Sequence, residues 1–229
     1  MIEHLRRLVL EANLALVRHG LAVMTWGNAS GIDRERGLVI IKPSGVEYDR
    51  LAAADLVAVD LSGRVIEGTL RPSSDLPTHL ELYRAWPWVG GIVHTHSAHA
   101  TSFAQACRPI PCLGTTHADH FAGEVPVTRA LTAAEVAADY EAATGRVIVE
   151  RFAGLDPAHV PAALVAHHGP FAWGRDARDA VHNAVALEAV AGMALASLQL
   201  APALGPIPAH VADRHFQRKH GPRAYYGQR

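Results

Sequence analysis

Several things are scarce in this chain. Only two cysteines, Cys107 and Cys112, occur in 229 residues. They flank the tetrapeptide RPIP, form no C-x-x-C pair, and are too few for a disulfide scaffold. An excess of one charge is also missing: 21 Lys and Arg against 22 Asp and Glu leave a net charge of -1. That balance carries no electrostatic footprint for nucleic acid or an anionic membrane. Long hydrophobic runs are missing too. The opening stretch MIEHLRRLVLEANLALV is interrupted by Glu11 and Asn13, which breaks a signal-peptide core. No uninterrupted apolar run reaches the length of a bilayer span. A cytoplasmic protein with no nucleic-acid or membrane partner is expected. There is no internal repeat, no low-complexity linker, no P-loop, and no G-x-G-x-x-G after a strand, so a dinucleotide-binding domain is not expected.

What is present suits a globular domain: 49% hydrophobic and 19% charged residues in a chain long enough to bury a proper core. Leu5, Leu8, Val9, Ala12 and Leu16 recur at helical spacing and predict a helix over 2–19, with Gly20 as its stop. GLVIIKP (37–43) reads as a strand, and DLVAVDLSGRVIEG (55–68) as two strands around Ser62-Gly63. A helix is expected over 77–86 and a strand over 90–96. Thr132 and Glu135 form a capping-box pair that opens a helix ending at Gly145. RVIVERF (146–152) and PAALVAHHG (161–169) read as strands. Asp176 opens a long helix to about residue 200, and a last helical piece covers 208–219. Strands and helices intermix without a strict βαβ rhythm, which predicts one α/β domain with a mixed sheet.

The 15 histidines are the outlier. GGIVHTHSAHA (90–100) runs from a buried-looking strand into His94, His96 and His99. Residues i and i+2 of a strand share a face, so His94 and His96 would stand side by side and grip a metal from one side. ALVAHHGPFAWG repeats the pattern with His167 and His168, which face opposite ways in extended chain, so only one joins the pair easily. A carboxylate would complete four ligands, and RPSSDLPTH offers Asp75. That residue also reads well as a helix N-cap with Pro77 just inside. His79 and His99 remain open as ligands. WGNASG (26–31), KPSG (42–45) and PSSD (72–75) are glycine- and hydroxyl-rich. Each reads singly as a turn; together they suit a phosphate.

These segments, together with GTTHADHF, DAVHNAV and RKHGPRAYYGQ, resemble the L-ribulose-5-phosphate 4-epimerase branch of the class II aldolase family from about residue 5 to the C-terminus. The resemblance implies a single-domain three-layer α/β/α sandwich with a mixed, mostly antiparallel central sheet. It implies a C4 homotetramer with active sites between subunits, the tail from about 218 to 229 reaching a neighbour. It implies one divalent ion per subunit, Zn2+ or another such as Mn2+ or Co2+, on Asp75, His94, His96 and His168. Where that family carries a small polar residue this chain has His167, which stands as a competing ligand. By the same resemblance, Asp119 and Tyr226 are the catalytic acid/base pair, one from each of two adjoining chains. Asn28, Lys42, Ser44, Gly45, Ser73 and Ser74 belong to the phosphate loops, and Thr115, Glu141 and His215 to secondary positions. The implied activity is conversion of L-ribulose 5-phosphate to D-xylulose 5-phosphate in pentose catabolism, of the arabinose or ascorbate type.

Chemistry supports that route independently. In a 2-ketopentose 5-phosphate the C4 hydrogen is not acidified by the carbonyl, so direct deprotonation does not invert C4. Oxidation at C4 needs a nicotinamide, for which no fingerprint exists. Retro-aldol cleavage of C3–C4, rotation of the aldehyde and re-addition remain, with a Lewis-acidic metal stabilising the enediolate and two groups moving protons on opposite faces. A product-releasing class II aldolase and a non-catalytic adducin-like head are the competing readings.

Overall fold

The structure, a computed structural model, describes residues 2–225. Its elements in chain order are α1 (Ile2–Arg18), β1 (Asn28–Asp33), β2 (Leu38–Ile41), β3 (Val57–Asp60), β4 (Val65–Glu67), α2 (Leu76–Ala85), β5 (Gly91–His94), α3 (Ala98–Gln105), α4 (Thr115–Ala118), α5 (Ala133–Arg151), β6 (Ala162–Leu164), β7 (Pro170–Gly174), α6 (Ala177–Leu200) and α7 (Ala209–His220). The strands form one seven-stranded sheet in the order β4-β3-β2-β1-β5-β7-β6. Every pairing between these strands is antiparallel. The one parallel contact among the described residues is an isolated bridge from Val127 to Leu164.

Alternation along β1 shows the two faces of the sheet. A side chain at Gly31 would meet Leu5 and Val9 of α1 at 3.0 Å, so glycine lets that helix lie close. The neighbouring Ser30 points the other way, its Oγ 2.7 Å from His79 and 2.8 Å from Tyr83 of α2. α1 and α6 cover the first face, and α2 and α5 the second. Trp173 of β7, fully buried, packs there against Trp86 and Phe152, with ring centroids at 4.6 and 5.1 Å. This is the expected α/β/α sandwich. α6 is long and apolar enough to cross a membrane. The long helix was expected, but not its membrane-spanning composition, because no uninterrupted apolar run occurs in it. Here it is a core helix, with Ala180, Ala184, Leu187, Val190 and Ala191 buried.

Helix starts follow the caps. Thr132 Oγ1 accepts from Glu135 N–H at 3.2 Å while Glu135 accepts from Thr132 N–H at 2.8 Å. Asp176 accepts from Asp179 N–H at 2.8 Å. Four sequence expectations fail. RVIVERF is the second half of α5, not a strand, although Val147 and Ile148 are β-branched. Gly145 does not end the helix; it lets α5 approach α2, since a Cβ there would lie 2.5 Å from Glu81 Cβ. Burial of Val147 and Ile148 in the fold overrides local propensity. WGNASG is mostly strand: β1 begins at Asn28 and is central in the sheet. PAALVAHHG holds only the three-residue β6, followed by a turn and by β7, which the sequence reading had missed.

Gly145→Ala isolates this packing. Alanine gains about 1 kcal/mol in helix propensity, but overpacking costs about 1–3 kcal/mol. The variant is expected to be less stable than wild type in urea denaturation; a stabilised variant would show that the α2–α5 approach is loose.

Candidate active site

The site begins where β5 ends. His94 closes that strand, buried, its ring stacked on Phe171 of β7 at 4.2 Å. Its Nδ1 lies 3.0 Å from the carbonyl of Pro170, so Nδ1 carries the proton and donates it, leaving the Nε2 lone pair free. That Nε2 is 3.1 Å from Nε2 of His96. His96 lies beyond the strand in the loop before α3, so a loop turn, not strand alternation, brings the pair together. His168 arrives on the β6–β7 turn, and ligand atoms of the three imidazoles lie within 4.8 Å of one another. His167 is excluded by backbone geometry: at φ +62° its ring turns away to Cys107, with Nε2 3.3 Å from Sγ. His79 and His99 are not in that cluster; His79 Nδ1 bonds Ser30 and His99 pairs with Glu188.

Asp75 occupies the N-cap position of α2 but makes no cap bond. Its Oδ2 instead accepts from Asn28 Nδ2 at 2.6 Å and, at 3.4 Å, from Ser73 Oγ. The carboxylate is thereby turned into the cleft that holds the three histidines. Burial works to raise the pKa of Asp75, but His94, His79 and the Asn28 amide outweigh it and hold the group below the ordinary carboxylate value. Burial, then the neighbouring His94 and His96, pushes His168 down to about 3, and burial likewise lowers His96. Neutral imidazoles are the form a metal needs. Two nitrogens on one tetrahedral zinc sit about 3.3 Å apart, close to the His94–His96 separation. The donor set therefore fits a divalent ion on His94, His96 and His168, with Asp75 beside them.

The loops expected to take a phosphate share this cleft of about 390 Å³, which Lys42, Ser44, Gly45, Ser73 and Ser74 line together with Glu141. The loops are laced to each other by Ser44 N–H to the Arg71 carbonyl and Ser73 N–H to the Lys42 carbonyl, both 3.0 Å. Lys42 is 1% exposed, its ammonium 4.7 Å from the Tyr48 ring centroid, and no carboxylate pairs with it among the described residues. A buried cation without a counter-ion at a cleft wall calls for an anion. Gly45 has φ +68°, a conformation glycine adopts without strain. Asn28 differs from expectation. Both its amide protons are used, on Ser73 Oγ at 3.0 Å and on Asp75, and its buried Oδ1 has no partner. It therefore presents an acceptor, suited to a hydroxyl rather than to a phosphate oxygen.

Thr115, Asp119 and His215 do not line the cleft. They lie on α4, at its end, and on α7. Asp119 accepts from Arg218 at 2.9 and 2.6 Å and pairs with His215 at 3.1 Å, with Lys219 at 3.9 Å. Burial acts to raise its pKa, but the Arg218 and His215 bonds win and keep it ionised. Tyr226 lies outside the described residues. Sequence reasoning missed Gly27, Trp26, Tyr48 and Tyr140. Tyr48 donates to the Gly27 carbonyl at 2.8 Å, and Trp26 and Tyr140 line the cleft. Trp26 and Gly27 stood inside a recognised motif; Tyr48 carried no signal, and Tyr140 only its adjacency to Glu141.

Residues 7–195 match the family described as Class II Aldolase and Adducin N-terminal domain. Among solved structures, an L-fuculose 1-phosphate aldolase is 24% identical with a TM-score of 0.78, over 94% of this chain and 95% of that one, a likeness of fold. YgbL from Klebsiella pneumoniae, provisionally described as an aldolase/epimerase/decarboxylase, is 27% identical with a TM-score of 0.73, over 92% and 97%. The L-fuculose-1-phosphate aldolase of Thermus thermophilus is 26% identical with a TM-score of 0.68, over 89% and 98%.

The two adjacent histidines give a clean test. After loading with Zn2+ and gel filtration, His168→Asn is expected to lose bound zinc, measured by plasma mass spectrometry, while His167→Asn retains it. The opposite pattern would reverse the ligand assignment.

Proposed function

Because the chain belongs to the Class II Aldolase and Adducin N-terminal domain family, we propose that it interconverts L-ribulose 5-phosphate and D-xylulose 5-phosphate by inverting C4. One observation carries the reading: the His94–His96–His168 cluster and the buried Lys42 with its serine loops open into a single cleft. A phosphorylated ketose needs both at once. The epimerase branch is favoured by the motifs TWGNASG, GTTHAD and AYYGQ and by Asp75, a short acid beside the triad where a product-releasing aldolase uses a longer glutamate as proton donor.

His94, His96 and His168 would hold a divalent ion, which when bound would supply Lewis acidity. The chain's own groups do the rest. Lys42, Ser44, Ser73 and Ser74 hold the phosphate, each charge-assisted bond contributing about 1.5–3 kcal/mol. They keep the glycolaldehyde phosphate fragment tethered while its aldehyde turns over. Asn28 Oδ1 accepts a substrate hydroxyl. Asp119, ionised, takes the C4 hydroxyl proton on one face; the Tyr226 phenol returns a proton to the new alkoxide on the other. The two groups then exchange protons with solvent.

Asp119 is tied to α7, which leads into the tail, and it lines no part of its own chain's cleft. We therefore assign Asp119 and Tyr226 together to the cleft of a neighbouring subunit in a head-to-tail C4 ring. This replaces the expectation that one comes from each of two chains.

Incubation with L-ribulose 5-phosphate tests the reading. D-xylulose 5-phosphate is the expected product. Accumulation of dihydroxyacetone and glycolaldehyde phosphate would establish the aldolase instead, which the likeness to fuculose-phosphate aldolases favours. No reaction by metal-loaded protein would overturn both. Ser74→Ala is expected to lower kcat/KM roughly tenfold or more, with a much smaller loss on unphosphorylated L-ribulose; equal losses would remove the phosphate role.

Subunit mixing tests the assembly. Asp119→Asn and His96→Asn tetramers, dissociated and reassembled in equal amounts, are expected to regain activity at about a quarter of sites. Asp119→Asn mixed with Tyr226→Phe is expected to regain none. Recovery in the second mixture alone would place Asp119 in its own chain's site.

A further inference from the structure

Tyr140 stands in the cleft wall beside the metal-site imidazoles, and the chemistry above gives it no task. Its hydroxyl lies 3.3 Å from Nδ1 of His168, and the two ring centroids are 6.0 Å apart. Its side chain lines the same cleft as the triad and Lys42.

The surrounding backbone holds it there. α5 is two helical segments joined at Asp139, whose φ of -168° and ψ of 92° are extended. Asp139 Oδ1 accepts from Ala142 N–H at 3.0 Å, capping the second segment. Tyr140 is the residue that follows, at the mouth of the cleft. Thr144 Oγ1 donates to the Tyr140 carbonyl at 2.9 Å, and Thr78 of α2 donates to the Glu141 carbonyl at 2.6 Å. Thr78 and Thr144 are both buried. Gly145, five residues on, seats the segment against α2. Anchors on both sides of Tyr140 fix its backbone, and its side chain, 37% exposed, stands at the cleft rather than in the core.

The contact has one useful polarity. A neutral imidazole carries a single ring proton. With that proton on Nε2, the phenol donates to Nδ1, and the Nε2–H points into the cluster and excludes a cation. With it on Nδ1, the phenol oxygen accepts and Nε2 offers its lone pair to the ion. His94 is set the same way by the Pro170 carbonyl. Outer partners of this kind orient metal-binding histidines and raise their basicity.

We propose that Tyr140 is a positioning residue for His168: its phenol oxygen accepts the Nδ1 proton, selects the tautomer and holds the ring, and thereby sets the affinity and geometry of the metal centre. The proposal rests on the metal-site reading above, and the experiment separates the two. Metal-free wild type, Tyr140→Phe and His168→Asn are titrated with Co2+ and followed by visible d–d absorption. Wild type is expected to bind one Co2+ per chain. Tyr140→Phe is expected to bind the same number about 10- to 100-fold more weakly, with shifted bands, while the stability of the metal-free variant is unchanged. His168→Asn is expected to bind little. Wild type that takes up no Co2+ would overturn the metal site itself. Wild-type binding matched by Tyr140→Phe in affinity and spectrum would overturn the role of Tyr140 alone. Long-range 1H–15N spectra of metal-free wild type give a second readout that needs no variant: an Nδ1–H tautomer at His168 supports the proposal, and an Nε2–H tautomer refutes it.

Discussion

The turn at Gly27 presses against the backbone of His94, and the site depends on that contact. A Cβ at Gly27 would lie 2.7 Å from the His94 carbonyl oxygen, and the residue has φ +77°. Only glycine satisfies both demands. Two sets of groups meet through this approach. On one side, β5 and the β6–β7 turn bring His94, His96 and His168 together. On the other, Asn28 opens β1 and reaches Ser73 and Asp75, while Tyr48 holds the Gly27 carbonyl and lies under Lys42. A cation cradle and an anion cradle become one cleft because two stretches of backbone are allowed to touch.

The electrostatics of the cleft are those of a site built for ligands rather than for stability. Three imidazoles share a pocket, and the facing nitrogens of His94 and His96 are 3.1 Å apart. Lys42 is buried without a carboxylate, and Asn28 buries an acceptor without a donor. Each arrangement is costly until something binds. Asp119 is the opposite case. Arg218, His215 and Lys219 surround it, so it is satisfied where it stands. Among the described residues it lines no part of the cleft, whose own carboxylates are Asp75 and Glu141.

Much of this was legible in the sequence. The paired histidines of GGIVHTHSAHA, the second histidine cluster and Asp75 were all visible, as were the loops that line the cleft. The caps at Thr132 and Asp176 predicted their helices because a cap is a local interaction: side chain, spacing and backbone donor lie within one turn. The long-range features were less legible. RVIVERF carries a strand composition and becomes helix because α2 lies beside it. Tyr140 carries little signal beyond its adjacency to Glu141, because its segment is held partly by Thr78, which donates to the Glu141 carbonyl from more than 60 residues away in the chain.

The sequence by itself determined the inventory: the histidines and carboxylate suited to a metal, the hydroxyl- and glycine-rich loops suited to an anion, the helices with strong periodicity or caps, and the resemblance to the family that the match over residues 7–195 bears out. Only the tertiary structure decided which of two adjacent histidines faces the cluster, because that choice turns on the +62° backbone angle of His167 and its seat on the Ala104 carbonyl and Cys107. It also decided that the Asp75 side chain faces the cleft rather than capping a helix end, because Asn28, 47 residues away, donates to it at 2.6 Å. And it separated Asp119 from the cleft. Residue type and spacing are properties of a segment; direction is a property of what packs around it.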